Sequence, residues 1–220
     1  IISTIKLTAE LKKKYSNCNF VPIYWMATED HDFEEINYFN FKGKKFKWNK
    51  ESTGPVGRLS TEGLQELISI FEIELGSGLN AIELKKLFES AYATTETLAN
   101  ATRKLANDLF GSYGLVIVDA DNSELKSLFI PYIKNDLLEN TSFKCVSETV
   151  EKLKKYPTQV NPREINLFYI EDNLRERIVF DEGIFKINNT KTTFSQNGLL
   201  ELLETNPEKF SPNVILRPLY

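Results

Sequence analysis

Ile1, Ile2, Ile5, Ala9 and Leu11 recur at helical spacing, with Lys6, Glu10, Lys12 and Lys13 off the stripe. The pattern predicts a helix that is already under way at the first residue. Asn17 and Asn19 break it. Phe20 to Ala27 is apolar without alternation, as in a strand covered on both faces within a parallel sheet, and Pro22 lies near its start, where a missing N–H is tolerated. The run stops at Thr28-Glu29-Asp30-His31-Asp32, and Phe33 and Ile36 continue as a short helix. Tyr38–Phe41 and Phe46–Trp48 flank Lys42-Gly43-Lys44-Lys45, a predicted hairpin with glycine in its turn. Gly54-Pro55-Val56-Gly57 reads as a loop.

Three helical stripes follow. The first carries Leu64, Leu67, Ile68, Phe71 and Leu75 and stops at Gly76-Ser77-Gly78. The second carries Leu84, Leu87, Phe88 and Ala91, with Asn80 and Glu83 spaced as a capping box. The third carries Leu98, Leu105 and Leu109, with Thr94 or Thr95 as its cap and Gly111 at its end. Gly114 to Val118 is a second parallel-strand candidate. It runs into Asp119-Ala120-Asp121-Asn122, and a helix through Leu125, Phe129, Ile133 and Leu137 follows, with Pro131 expected to kink or split it. After a helix around Val146, Val150 and Leu153, short strands are predicted at 167–170, 175–180, 184–187 and 192–194. Ser195 caps a last helix bearing Leu199, Leu200, Leu202 and Leu203.

The reading is therefore α/β: a parallel-sheet core over 1–139 containing a helical segment at 60–110, a small mixed α+β insertion over 140–210, and a return to the core over 211–220. Both ends of the sequence look cut, since it opens inside a helix and closes on Pro218-Leu219-Tyr220 without a turn signal. A hydrophobic content of 41% and a charged content of 26% are ordinary for a globular chain. A net charge of −4 argues against nucleic acid as a partner. No apolar stretch approaches the roughly 20 residues of a membrane span, and no secretory signal is seen. Cys18 and Cys145 are too few for a disulfide framework. A cytoplasmic location with free thiols is expected, and with a single histidine a zinc site is not.

In an open parallel sheet, ligands bind beyond the carboxyl ends of the strands. If the two apolar runs are parallel, Glu29, Asp30, His31, Asp32, Asp119 and Asp121 share one edge. Capping alone would account for Asp30 or Asp32, and for Asp121 or Asn122. The sole histidine beside three carboxylates is more than a cap requires, and a histidine in a cleft is a ready proton carrier. Asp119-Ala120-Asp121 is also a short pattern that can hold a divalent metal against the phosphates of a nucleotide sugar. That makes a metal-dependent glycosyltransferase one rival reading, and a non-catalytic nucleotide-binding or assembly module another. Arg163 and Arg217 could grip a carboxylate or phosphate through paired N–H donors, or lie solvated at the surface.

Several stretches resemble the bacillithiol cysteine-adding enzymes: Pro22 through Asn37 with its Thr28-Glu29-Asp30-His31-Asp32, then Gly54-Pro55-Val56-Gly57, then Leu109-Phe110-Gly111 through Asp121. Gln159 through Phe168, with Asn161-Pro162-Arg163-Glu164, and Ser211-Pro212-Asn213 followed by Leu216 through Tyr220 complete the likeness in family order across nearly the whole chain. The resemblance implies a Rossmann-like core akin to class I aminoacyl-tRNA synthetases, interrupted by connecting-peptide insertions. It also implies a ligase joining cysteine's carboxyl to the amine of glucosaminyl malate, the last step of bacillithiol synthesis. His31, Glu29 and Asp30 would be catalytic, and Asp32, Asn37, Asp119, Asp121, Asn161, Arg163, Asn213 and Arg217 would bind substrate. The chain departs from a complete member in lacking an upstream glycine-rich segment and the later coiled coil, through which the family would form a homodimer. ATP or ADP would suit such a core, but the synthetases' His-x-Gly-His signature is absent, so the cofactor stays open.

Overall fold

The computed structural model describes residues 1–220, which form two compact units: residues 1–52 with 56–120, and residues 53–55 with 121–220. In the first unit, α1 (Ile2–Lys14) forms where the apolar spacing predicts. Its stripe is only partly covered, however: Ile5 and Leu11 are half-buried, Ile1, Ile2 and Ala9 are exposed, and Thr8 is the helix's only buried residue. Then come β1 (Ile23–Met26), α2 (Phe33–Ile36), and the hairpin of β2 (Tyr38–Phe41) and β3 (Lys44–Lys47). Lys42 and Gly43 both have positive φ, 48° and 75°, the two-residue geometry that suits the twist of paired strands. α3 (Leu64–Leu75), α4 (Leu79–Phe88), α5 (Leu98–Phe110) and β4 (Val116–Asp119) complete the unit.

β1 and β4 pair in parallel, in the register Ile23↔Val116 through Met26↔Asp119. The expectation of strands covered on both faces needs correction. The sheet has two strands only, and Ile23 and Val116 are exposed while Met26 is buried. An unalternating apolar run records which side chains tolerate burial and cannot say which are covered. The core of this unit lies beside the sheet, where Phe33, Trp48, Val56, Leu59, Leu64 and Ile68 cluster.

Two helix starts also differ. Gly78, not Asn80, precedes α4, which buries none of its residues. Thr97, not Thr94 or Thr95, caps α5 by accepting from the Asn100 N–H at 3.2 Å. Thr94 and Thr95 instead donate their hydroxyls to Ser90 and Ala91 carbonyls, closing a π-helical turn over Glu89–Ala93 that the pattern gave no sign of. α5 buries Ala99, Ala101 and Ala106, while Leu109 is exposed. Small side chains let this helix approach its neighbours closely.

The second unit holds α6 (Ser123–Glu139), α7 (Thr141–Lys152), β5 (Leu167–Glu171), β6 (Leu174–Asp181), β7 (Ile184–Ile187), β8 (Thr193–Phe194), α8 (Gln196–Thr205) and β9 (Phe210–Pro212). α6 runs through Pro131 without splitting. Phe129 and Ile133 on either side of the proline are buried in one core, which outweighs a penalty of about 3 kcal/mol for an interior proline. The five strands form one antiparallel sheet in the order β8-β7-β6-β5-β9. β9, not foreseen from its short Phe-Ser-Pro sequence, pairs with β5 at the sheet edge, where a proline is tolerated. The core combines Phe129, Ile133 and Leu137 of α6 and Leu199 and Leu203 of α8 with Leu167, Ile178, Ile187 and Phe210 of the sheet. The buried stripe of α6 packs on these later strands, so the helix belongs with them in the second compact unit. No helix is long and apolar enough to cross a membrane, and Cys18 and Cys145 are exposed free thiols.

Two close approaches fix the Gly54–Gly57 loop. A Cβ at Gly54 would lie 2.2 Å from the Asp172 carbonyl oxygen, and one at Gly57 would lie 2.4 Å from Thr28 Cβ. Gly57→Ala should cost about 1–3 kcal/mol by overpacking, read as a lower thermal midpoint. Ile133→Ala, at a fully buried position, should lower the urea-unfolding free energy by about 2–5 kcal/mol. An unchanged midpoint in either variant would contradict the packing described.

Candidate functional site

The parallel register sets the geometry of the first unit. Because Met26 pairs with Asp119, the chain leaves both strands at the same edge, and Thr28 and Asp119 meet there. The Thr28 hydroxyl donates to one oxygen of Asp119, and Arg103 of α5 donates to the other at 3.2 Å. The segment after β1 is pinned through its backbone: Val56 N–H donates to the Asp30 carbonyl at 2.7 Å, and Gly57 N–H to that of Thr28 at 2.8 Å. This second contact explains why residue 57 must lack a side chain.

Within the pinned segment Glu29 is buried, whereas His31 and Asp32 are exposed and Asp30 is half-buried. Asp30 accepts from the His31 N–H at 2.8 Å, and its carboxylate lies 3.4 Å from His31 Nδ1, with Asp32 3.9 Å from Nε2. The imidazole is bracketed by two carboxylates. Asp32 precedes α2 but makes no side-chain cap hydrogen bond, so capping does not explain it. Donor atoms of Asp30, His31 and Asp32 lie within 4.8 Å of one another, in an open setting.

A cavity of about 340 Å³ lies against Thr28, lined by Tyr24, Met26, Gly57, Tyr92 and Thr102 among others. Its polar side chains are hydroxyls, and no charged side chain lines it. Burial pushes the Tyr92 phenol up, the neighbouring Tyr24 adds to this, and a hydrogen bond with Thr102 opposes it. A second, apolar cavity of about 140 Å³ shares Ile36, Tyr92 and Leu98 with the first. Asn37, buried, belongs to this second cavity's wall. Its side chain hydrogen-bonds Glu34, whose carboxyl Lys47 first and Asn37 second hold below its usual value.

The remaining sequence candidates belong to the second unit. Asp121 accepts from buried Lys126 at 2.9 Å, and Lys126 also donates to the Glu208 carbonyl at 3.1 Å. Asn122, not Asp121, caps α6, accepting from the Leu125 N–H. Asn161 and Arg163 are exposed, and Arg217 is half-buried. Both ends of the Asn213 side chain are engaged: it donates to Asn166 at 3.0 Å and accepts from the Ile215 and Leu216 N–H groups.

Two consequences bear on chemistry. Each carboxylate of Asp119-Ala120-Asp121 faces a cation of its own, Arg103 or Lys126, which weakens the case for a divalent metal there because its charge has already been answered. The glycines of Gly54-Pro55-Val56-Gly57 are backed by Asp172 and Thr28, and the Val56 and Gly57 N–H groups are already engaged, so this loop offers no phosphate cradle. The sequence reading missed Thr28, Arg103 and Lys126. Nothing in the spacing of a helical arginine or lysine marks its partner, and Thr28 appeared only as the threshold of the acidic run.

Over residues 1–220 the chain matches the family described as "Bacillithiol biosynthesis BshC, N-terminal Rossmann-like domain". It is 68% identical over its whole length to a Flavobacterium johnsoniae protein named "Putative cysteine ligase BshC", covering 42% of that protein. Proteins of the same name from Cytophaga hutchinsonii and Staphylococcus saprophyticus are 40% and 28% identical, and the chain covers 40% and 43% of them. The chain thus spans about two fifths of the length of these relatives. With the match running from the first residue to the last, through both the acidic-histidine segment and the second unit, the chain belongs to the bacillithiol biosynthesis BshC family and corresponds to its N-terminal Rossmann-like domain.

Proposed function

We propose that the full-length protein is a ligase that forms an amide between the carboxyl of cysteine and the amine of glucosaminyl malate, completing bacillithiol. The observation that carries this reading is the edge of the parallel pair, where the His31 segment and Asp119 emerge together. The three relatives quoted above under the name "Putative cysteine ligase BshC", and a domain description that names bacillithiol biosynthesis, support the reaction class.

Amide formation requires a deprotonated amine and an activated carboxyl. In this reading His31 takes the proton from the ammonium of the amino sugar, with Asp30 orienting the ring through Nδ1 and Asp32 near Nε2. Glu29, buried beneath them, sets the local charge. The freed amine attacks the activated carboxyl and expels its activating group. Asp119, fixed by Thr28 and Arg103, and Asp121, fixed by Lys126, bind the ammonium or sugar hydroxyls. Asn37, Asn161 and Asn213 contribute to substrate binding, and Arg163 or Arg217 holds the malate carboxylates. Cysteine and the amino sugar would be small-molecule partners in the cytoplasm, and a homodimer would form outside this domain. The paired cations at Asp119 and Asp121 give the glycosyltransferase alternative no support.

Mass spectrometry of full-length protein with cysteine and glucosaminyl malate, with and without ATP, tests the reaction and its energy source together. His31→Ala should lower the rate about 10²–10⁴-fold, the usual worth of a positioned proton carrier. A variant that converts both substrates at the wild-type rate would remove His31 from the role. Arg103→Gln, which removes one hydrogen-bond donor from Asp119, should lower turnover about tenfold while the fold, read by circular dichroism, persists. Unchanged turnover would separate Arg103 from the chemistry.

A further inference from the structure

Outside the first unit's edge, the most heavily organised polar cluster surrounds Asn166. This residue is fully buried, and its amide grips both peptide groups of Arg163. Its Oδ1 accepts from the Arg163 N–H at 3.1 Å, and its Nδ2 donates to the Arg163 carbonyl at 2.6 Å. Asn166 is held in turn: Nδ2 also donates to Ser142 Oγ at 2.8 Å, Oδ1 accepts from Asn213 at 3.0 Å, and its own N–H donates to buried Asp136 at 2.7 Å. Ser142 donates to the other oxygen of Asp136. Asn140 adds a hydrogen bond to the Glu164 carbonyl at 2.8 Å.

A buried network of this kind adds little net stability, because each group exchanges water for protein. What it supplies is a single backbone conformation. Here that conformation belongs to a loop whose next side chains are the exposed Arg163 and Glu164. Arg177 is presented with similar firmness. It lies in β6, the middle strand of the sheet, in register with Phe168, and its carbonyl accepts from the Asn188 N–H at 2.9 Å.

Arg163 and Arg177 line one cavity of about 280 Å³, with Glu164, Ile165, Val179 and Phe180 among its walls. Neither guanidinium has an ion pair or side-chain hydrogen bond inside the protein, although acidic residues outnumber basic ones in the chain, 31 to 27. Two unpaired guanidiniums on rigid backbones, with an aliphatic and aromatic wall beside them, suit a short carbon chain with a carboxylate at each end. Each fork can take one carboxylate by two parallel N–H donors.

We propose that this cavity is a dicarboxylate site, in which Arg163 and Arg177 each bind one carboxylate and Ile165, Val179 and Phe180 contact the carbons between. Arg177 becomes the specificity-determining residue that the sequence did not disclose. The site rests on the amide-forming reading only for the identity of the molecule that carries the carboxylates.

Calorimetry of the full-length protein with succinate, and separately with inorganic phosphate, tests it. Succinate should bind, with phosphate about tenfold weaker or more, because phosphate carries one anionic group where the proposed site takes two and has no carbons for the apolar wall. Arg177→Gln and Arg163→Gln should each weaken succinate binding about tenfold, Arg177→Lys should recover part of it, and His31→Ala should leave it unchanged. Arg163→Gln lies on an exposed loop side chain and serves if the strand variant fails to fold. No succinate binding, or wild-type affinity in a folded glutamine variant, overturns the site. Tighter binding of phosphate than of succinate overturns the dicarboxylate assignment. Succinate binding by a protein that makes no amide would sink the ligase reading and leave this site standing.

Discussion

The parallel pairing of β1 with β4 is the constraint on which the first unit's chemistry depends. The register aligns Met26 with Asp119, so two segments 91 residues apart in sequence, at Thr28 and Asp119, leave the sheet on the same side and hydrogen-bond. A slip of one residue would turn alternate side chains to the opposite face and part the pair. Gly57 reinforces the register from below, since its backbone holds Thr28 where any side chain would collide.

Much of this was legible in the chain. The two apolar runs ending in acidic residues announced the strands and the edge, and the hairpin at Lys42-Gly43 and the caps at Asn122 and Ser195 follow from local chemistry that needs no distant partner. What could not be read was long-range. Burial of β1 and β4 depends on what covers them, so an apolar run misreported exposed Ile23 and Val116. β9 exists only because β5 offers it an edge. The π-helical turn at Glu89–Ala93 depends on side-chain hydroxyls folding back onto carbonyls, a choice that helix periodicity does not encode.

The candidate site shows the same division. His31 and its flanking carboxylates are neighbours in sequence, so their grouping was visible. Arg103 and Lys126 act through the partners that the fold gives them, and a cation on a helix or strand looks alike whether it is solvated or committed. Asn166 is the extreme case. Its neighbours in sequence give it no distinguishing mark, yet it is fully buried and organises Arg163, Ser142 and Asn213.

Lys126 carries a consequence beyond the site itself. Its ammonium is sealed in the second unit against Asp121 and the Glu208 carbonyl. Removing one side chain of a buried ion pair leaves the other's charge less well answered, at a cost of about 3–5 kcal/mol. A swap of both for apolar groups of similar volume would be far milder. The two positions therefore form a ratchet in sequence space, where drift at one is blocked until its counterpart changes in the same stroke.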